Sequence, residues 1–171
     1  MNARSAAGVA ALGRLCSARP VLRRALPCLR ARRSLPYAES RRYTPEDRPK
    51  EVLAALHARL GLGRAVLVQA SCHGTDNRAM LDALRSDPTR YRGVAMIDDE
   101  TPDAALAEMH EAGVRGIRFN FIKALGGGPD LAVVRRAADR VRGLGWHVVL
   151  HLQGMAWRRW RRPSARCACP W

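Results

Sequence analysis

The sequence predicts an α/β fold built from about four parallel βα units, best fitted by a (β/α) barrel with its site at the C-terminal face of the strands. Three observations carry this. Short apolar, β-rich runs begin near residues 65, 92, 116 and 147, at steps of 27, 24 and 31 residues. Stretches with helical spacing lie between them, and strands alternating with helices at that pitch pair in parallel through right-handed crossovers. Polar side chains gather where each run ends: Gln69 and Ser71, Asp98 and Asp99, Arg118 and Asn120, His151 and Gln153. The C-terminal ends of the strands are where barrels of this class keep their sites.

The elements follow in order. "PKEVLAALHARLG" sets Val52, Leu53, Leu56 and Leu60 at helical spacing, with Pro49 suited to the first turn and Gly61 to the stop. "AVLVQAS" is a strand, "DNRAMLDALRS" a helix and "RGVAMID" a strand. "TPDAALAEMHEAG" reads as a helix capped by Thr101 with Pro102 in its first turn. "GIRFNFI" is the next strand, "PDLAVVRRAADRVRGLG" the next helix, and "HVVLHL" the last strand. Side chains alternate along a strand, so Arg118 and Asn120 share one face while Ile117, Phe119 and Phe121 share the other. An arginine inside such a strand suits a barrel mouth better than a flat core. No glycine-rich dinucleotide loop follows any strand; "LGGGPD" lacks both the spacing and the ribose-binding acid.

Charge divides the chain. Residues 1–36 hold 8 arginines and residues 154–171 hold 5, with no acid in either. The segment 37–153 carries 17 basic residues against all 15 acidic ones. The net charge of +15 therefore belongs to the ends. The organisation expected is an Arg-rich leader over 1–34, a partial barrel domain over 35–154 and an Arg/Trp-rich tail over 155–171. The Arg, Ala, Pro, Cys and Trp of "RALPCLRARRS" and "WRRWRRPSARCACPW" are also what out-of-frame reading of GC-rich DNA yields. Both ends are expected to be disordered or out of frame. The competing reading is an Arg/Trp tail that grips an anionic surface or nucleic acid. No run approaches the roughly 18 apolar residues of a membrane helix. Five cysteines without zinc spacing or a disulfide framework imply a reduced, cytoplasmic protein.

Several chemical readings are weak on the residues alone. Cys72 and His73 are sequence neighbours, which does not make a nucleophile–base pair. Nothing nearby completes a metal site at His73, and His147 and His151 lie about 13 Å apart along a strand, too far for one ion. Asp98 and Asp99 read as strand-end carboxylates, His110 as a solvated helix residue and Trp146 as packing.

"RRYTPED", "VLVQASCHGTDNRAMLDAL", "YRGVAMIDD", "AGVRGIRFNF" and "GWHVVLHL", in that order and spacing, resemble the amidohydrolase-related family that includes 2-pyrone-4,6-dicarboxylate lactonase. The resemblance spans about residues 35–154. It implies a (β/α)8 barrel of hydrolases acting on cyclic esters, amides or related carboxylates. It implies a His-x-His pair at the end of the first strand, a later histidine and a distal Asp, with a divalent metal in those relatives that use one. This chain has no histidine before His57, and "RALPCLRARR" stands where the pair is expected. Hence no catalytic residue, no metal ligand and no cofactor is expected here, and the chain is expected to be a truncated, inactive hydrolase. What the resemblance does place is a substrate-binding wall of Tyr43, Ser71, His73, Arg118, Asn120 and His151. Arg118 would bind a substrate carboxylate through its bidentate fork. Ala124 beside Lys123, where a dicarboxylate-binding member would carry a second basic residue, weakens the claim to that particular substrate. The implied partner is a small carboxylate or lactone; a membrane or nucleic acid is not expected, and open sheet edges invite self-association.

Overall fold

Five parallel strands lie side by side in chain order in the computed structural model, which describes residues 21–24 and 35–154. They are β1 (Val21–Arg24), β2 (Arg64–Val68), β3 (Tyr91–Ala95), β4 (Val114–Asn120) and β5 (His147–His151). Four helices connect them: α1 (Lys50–Arg59), α2 (Arg78–Ser86), α3 (Asp103–Glu111) and α4 (Leu131–Arg142). These four βα units form a half-barrel wall. Sequential parallel order is what repeated right-handed crossovers produce.

The strand β1 was not read from the sequence, yet it pairs with β2 from Val21↔Arg64 to Arg24↔Leu67. Four residues, half of them arginine, leave no alternation to recognise. The remaining strands fall where the apolar runs placed them.

Each strand has a helix-covered face and a concave face. On the covered side lie Ala65, Leu67, Ala95, Ile117 and Phe119, all buried against helix residues such as Met80, Leu84, Leu106, Met109, Val134 and Val141. Helices α2, α3 and α4 supply these from their buried faces, as helical periodicity requires. Gly93 in β3 is obligatory here, because a Cβ would stand 2.8 Å from the Leu84 side chain. On the concave side Val66 and Val68 are only half-buried.

Ion pairs run from helix to helix or to the strand-end loops: Lys50–Asp82, Arg85–Glu108, Arg136–Asp99 and Arg140–Asp103. All are substantially exposed, so each contributes little.

Two local expectations are corrected. Thr101 does not cap α3; Pro102 is the N-cap, while the Thr101 hydroxyl donates to Asp98 Oδ1 at 2.7 Å and closes the preceding turn. His110 is half-buried and paired rather than merely solvated. Its Nδ1 accepts from Trp146 Nε1 at 2.9 Å, and the two rings stack within 8° of parallel. Trp146 packs in the core as expected.

Candidate functional site

The loop after β2 is held open by its own polar residues. Gln69 Nε2 donates to the Asp76 carbonyl at 2.7 Å. Asn77 Nδ2 donates to the Thr75 and Met96 carbonyls, and Asn77 Oδ1 accepts from Met96 N. Asp76 accepts from the backbone and guanidinium of Arg78, which holds its carboxyl below the ordinary range. Cys72 is fully buried. Most of "QASCHGTDN" is thus architecture, and it delivers one side chain, Ser71, to the mouth of the wall.

Opposite Ser71 stands Arg118 on the concave face of β4. Its Nη1 donates to the Gln69 carbonyl at 3.0 Å and its Nη2 to Ser71 Oγ at 2.9 Å. Asn120, two residues on and on the same face, donates Nδ2 to the same Ser71 Oγ at 3.1 Å. With both lone pairs of that oxygen taken, the Ser71 hydroxyl proton is left to donate. Arg118 is 6% exposed, and its Nε is buried with no hydrogen-bond partner. No carboxylate among the described residues pairs with it. Burial pushes its pKa below the ordinary guanidinium value, and Tyr43 opposes that shift. The guanidinium keeps its charge regardless.

A cavity of about 270 Å³ opens onto this cluster. Tyr43, Ser71, Arg118 and Asn120 line it together with Arg41, Arg42 and Asp98. The segment bearing Tyr43 is anchored by Ala38 N, which donates to the Cys72 carbonyl at 2.9 Å. Arg41 is braced by Thr44 Oγ1 and the Ala38 carbonyl. The sequence reading singled out neither Arg41 nor Arg42. The only signal was their place beside Tyr43 in "RRYTPED".

The other two expected wall residues sit elsewhere. His73 is buried behind the loop, against the Tyr37 ring at 5.0 Å, and does not line the cavity. His151 stands beside Arg118 on the neighbouring strand, 3.4 Å from Nη2 through Nδ1, but also lies off the cavity lining. Its pKa is lowered, first by burial and then by the Arg118 charge.

The residues described do not fit a bound metal. No three His, Cys, Asp or Glu side chains among them converge on one point. The segment after β1 begins Ala25-Leu26-Pro27, without histidine.

The amidohydrolase family model matches residues 16–164. The chain belongs to the amidohydrolase family. Its similarity to the 2-pyrone-4,6-dicarboxylate hydrolase of Comamonas testosteroni is 47% identity over 120 residues, 70% of this chain and 39% of that protein. The 4-sulfomuconolactone hydrolase of Hydrogenophaga intermedia is 36% identical over 122 residues, 71% of this chain and 40% of that one. An Acinetobacter baumannii protein assigned as a 2-pyrone-4,6-dicarboxylic acid hydrolase, solved with citric acid bound, superposes with a TM-score of 0.67 at 26% identity. That match covers 78% of this chain and 49% of the other. A Pseudomonas putida protein assigned to the same activity gives 0.58 at 42% identity, over 65% and 41% of the two chains. The chain therefore spans less than half the length of these relatives. The curated relatives are lactone hydrolases by name, and the solved ones carry the same barrel.

Among the described residues no helix is long and apolar enough to cross a membrane. The Arg/Trp tail, on which the anionic-surface reading rests, lies outside the described residues.

Proposed function

We propose that this half-barrel carries the carboxylate-binding wall of a lactone hydrolase, acting in the intact fold on a cyclic ester that bears a carboxylate. The observation behind this is Arg118: a buried guanidinium with no acidic partner among the described residues and an unsatisfied Nε, facing a cavity. A buried charge without a counter-charge is costly. A substrate carboxylate would supply the missing partner, and the guanidinium fork suits it. The Ser71 hydroxyl and the second Asn120 N–H add donors, so the wall is complementary to anionic oxygen. Arg41 and Arg42 at the rim place further positive charge where a second acidic group of a dicarboxylate would sit. The citric acid bound to the Acinetobacter relative is a ligand of that chemistry.

The role of this chain is to bind and orient. The water-activating groups that the resemblance implies are not among the described wall residues, so we assign this segment a binding and orienting role. We place it in the cytoplasm, in keeping with cysteines whose spacing suggests neither a disulfide framework nor a zinc site.

Isothermal titration with 2-pyrone-4,6-dicarboxylate tests this. Saturable binding is expected, weakened at least tenfold in Arg118→Met, in line with the roughly 1.5–3 kcal/mol of hydrogen bonds to charged groups. Equal affinity in a folded Arg118→Met would sink the assignment. Lactone hydrolysis by this chain above the buffer rate would overturn the view that it lacks the catalytic groups.

A further inference from the structure

The helix-covered face of the sheet is sealed at β4 and open at β5. Ile117 and Phe119 are 0% and 4% exposed, whereas Val148 and Leu150, their pair partners on the same face, are each 36% exposed. A right-handed βα unit covers such residues with the helix that follows the strand. As written, the sequence after β5 is "GMAWRRWRRPSARCACPW", acid-free and without an apolar stripe of helical spacing in its aliphatic residues.

Its tryptophans and cysteines, however, do have a periodicity. Every Trp and Cys codon begins with T and G. In a frame that takes the last base of one codon and the first two of the next, each Trp or Cys position must read as Val, Leu or Met, whatever that last base is. The forced apolar positions are those of Trp157, Trp160, Cys167, Cys169 and Trp171. Ser164, where its codon begins with T, reads as Phe, Leu, Ile or Val. Positions 157, 160, 164 and 167 have spacings of 3, 4 and 3, the stripe of an amphipathic helix. Positions 167, 169 and 171 then alternate, the start of a strand. The same frame removes the arginines: where their codons begin with C and G, Arg158 and Arg161 read as Ala and the other three as Ala, Ser, Thr or Pro. The strand so begun lies 20 residues after His147, against 23 from Tyr91 to Val114.

We infer that codons 155–171 encode, in that neighbouring frame, the helix that covers Val148 and Leu150 and the beginning of a sixth strand. The Arg/Trp tail is then the product of a frame slip close to Gly154, and the fifth βα unit is present in the gene. This stands apart from the ligand assigned to Arg118, and the two fail separately.

Sequencing the gene on both strands from codon 150 to well past codon 171 gives the first test. A shifted frame that stays open, with Ser164 written by a codon beginning with T, is the expected result. A stop in that frame within about twenty codons of 171, or a Ser164 codon beginning with A, which puts Lys, Glu, Gln or a stop into the stripe, overturns the inference. Amide hydrogen exchange on the protein gives the second. The chain as written is compared with one in which residues 155–171 are replaced by the shifted-frame peptide. Exchange at residues 147–151 should slow at least tenfold in the second chain; unchanged exchange means that the encoded segment does not cover β5.

Discussion

Arg118 and Ser71 act as one unit, because the serine oxygen accepts from both Arg118 and Asn120. Ser71→Ala leaves two donors without an acceptor and removes a hydroxyl donor from the cavity lining. Unsatisfied buried donors cost about 1–3 kcal/mol. We expect Ser71→Ala to lower both the urea midpoint and dicarboxylate affinity, while Ser71→Thr retains most of each; equal loss in the two variants would mean that the hydroxyl is not what matters. His57 makes the second case at this scale. It is fully buried on α1 beside Tyr91, with Nδ1 3.2 Å from the phenol oxygen and Nε2 unpartnered. Burial, then the Arg90 charge, lowers its pKa from 6.5. The unfolded chain therefore binds the proton more readily than the folded one. The stability tied to neutral His57 is present above about pH 6.5 and is lost as pH falls from there toward the depressed folded pKa. Urea midpoints at pH 7.5 and 5.5 should differ in the parent and differ less in His57→Phe; an identical pH response in both would remove His57 as the cause. Arg118 and Asn120 were legible in advance because strand alternation alone puts them on one face. The partners of His110 and His57 were not, since Trp146 lies 36 residues from the first and Tyr91 lies 34 from the second.

Between β2 and β3 the elements are joined by Asn77, whose side chain meets both Met96 backbone groups and so fixes the start of α2 against the end of β3. Asn77→Ala strips the part-buried Met96 N–H and C=O of their partner, and we expect a loss toward the lower end of about 1–3 kcal/mol in denaturant unfolding. Asn77→Asp keeps only the acceptor and should fall between. Gly116 has a different reason to be there. A Cβ on it would stand 2.6 Å from Cε1 of His147, which lies across the β4–β5 pairing. Because His147 is exposed and its ring can swing aside, Gly116→Ala should destabilise by less than the roughly 1–3 kcal/mol of core overpacking, and Gly116→Ala with His147→Ala should recover most of it. If the double variant is no more stable than the single, the contact is not the cause. Strands and helices with a clear period were readable from sequence, as β2 to β5 show. Thr101 misled because a Thr-Pro pair before a helix suits a cap, yet its hydroxyl found Asp98 first. Nothing in "VLRR" announces β1, which exists by pairing with β2 rather than by its own propensity.

At the scale of the whole molecule the half-barrel presents apolar surface at both ends of its sheet. Val52, Leu56 and Leu60 form an exposed stripe along α1, each 47–57% exposed, and Val148 and Leu150 are open on β5. Exposed strand edges and patches of this kind promote association. Sedimentation velocity should show mass rising with concentration, and Leu56→Lys with Leu150→Lys should shift it toward monomer; a parent that stays monomeric at all concentrations would contradict this. The strand β1 sharpens the last question. Family resemblance places a His-x-His pair just beyond the first strand, and the residues there are Ala25, Leu26 and Pro27. Take the frame displaced the other way, built from the last two bases of each codon and the first of the next. Ala25 before Leu26 then reads as histidine when its third base is adenine, because Leu codons begin with C or T. Pro27 before Cys28 reads as histidine on the same condition. A GC-rich gene seldom ends Ala and Pro codons in adenine, so finding it at both 25 and 27 is a stringent outcome. Adenine at both positions would restore the histidine pair that the resemblance implies, and the leader would be a frame slip matching the one inferred after Gly154. Any other base at either position breaks the pair, and β1 would then have to be explained as a strand whose arginines are native to it.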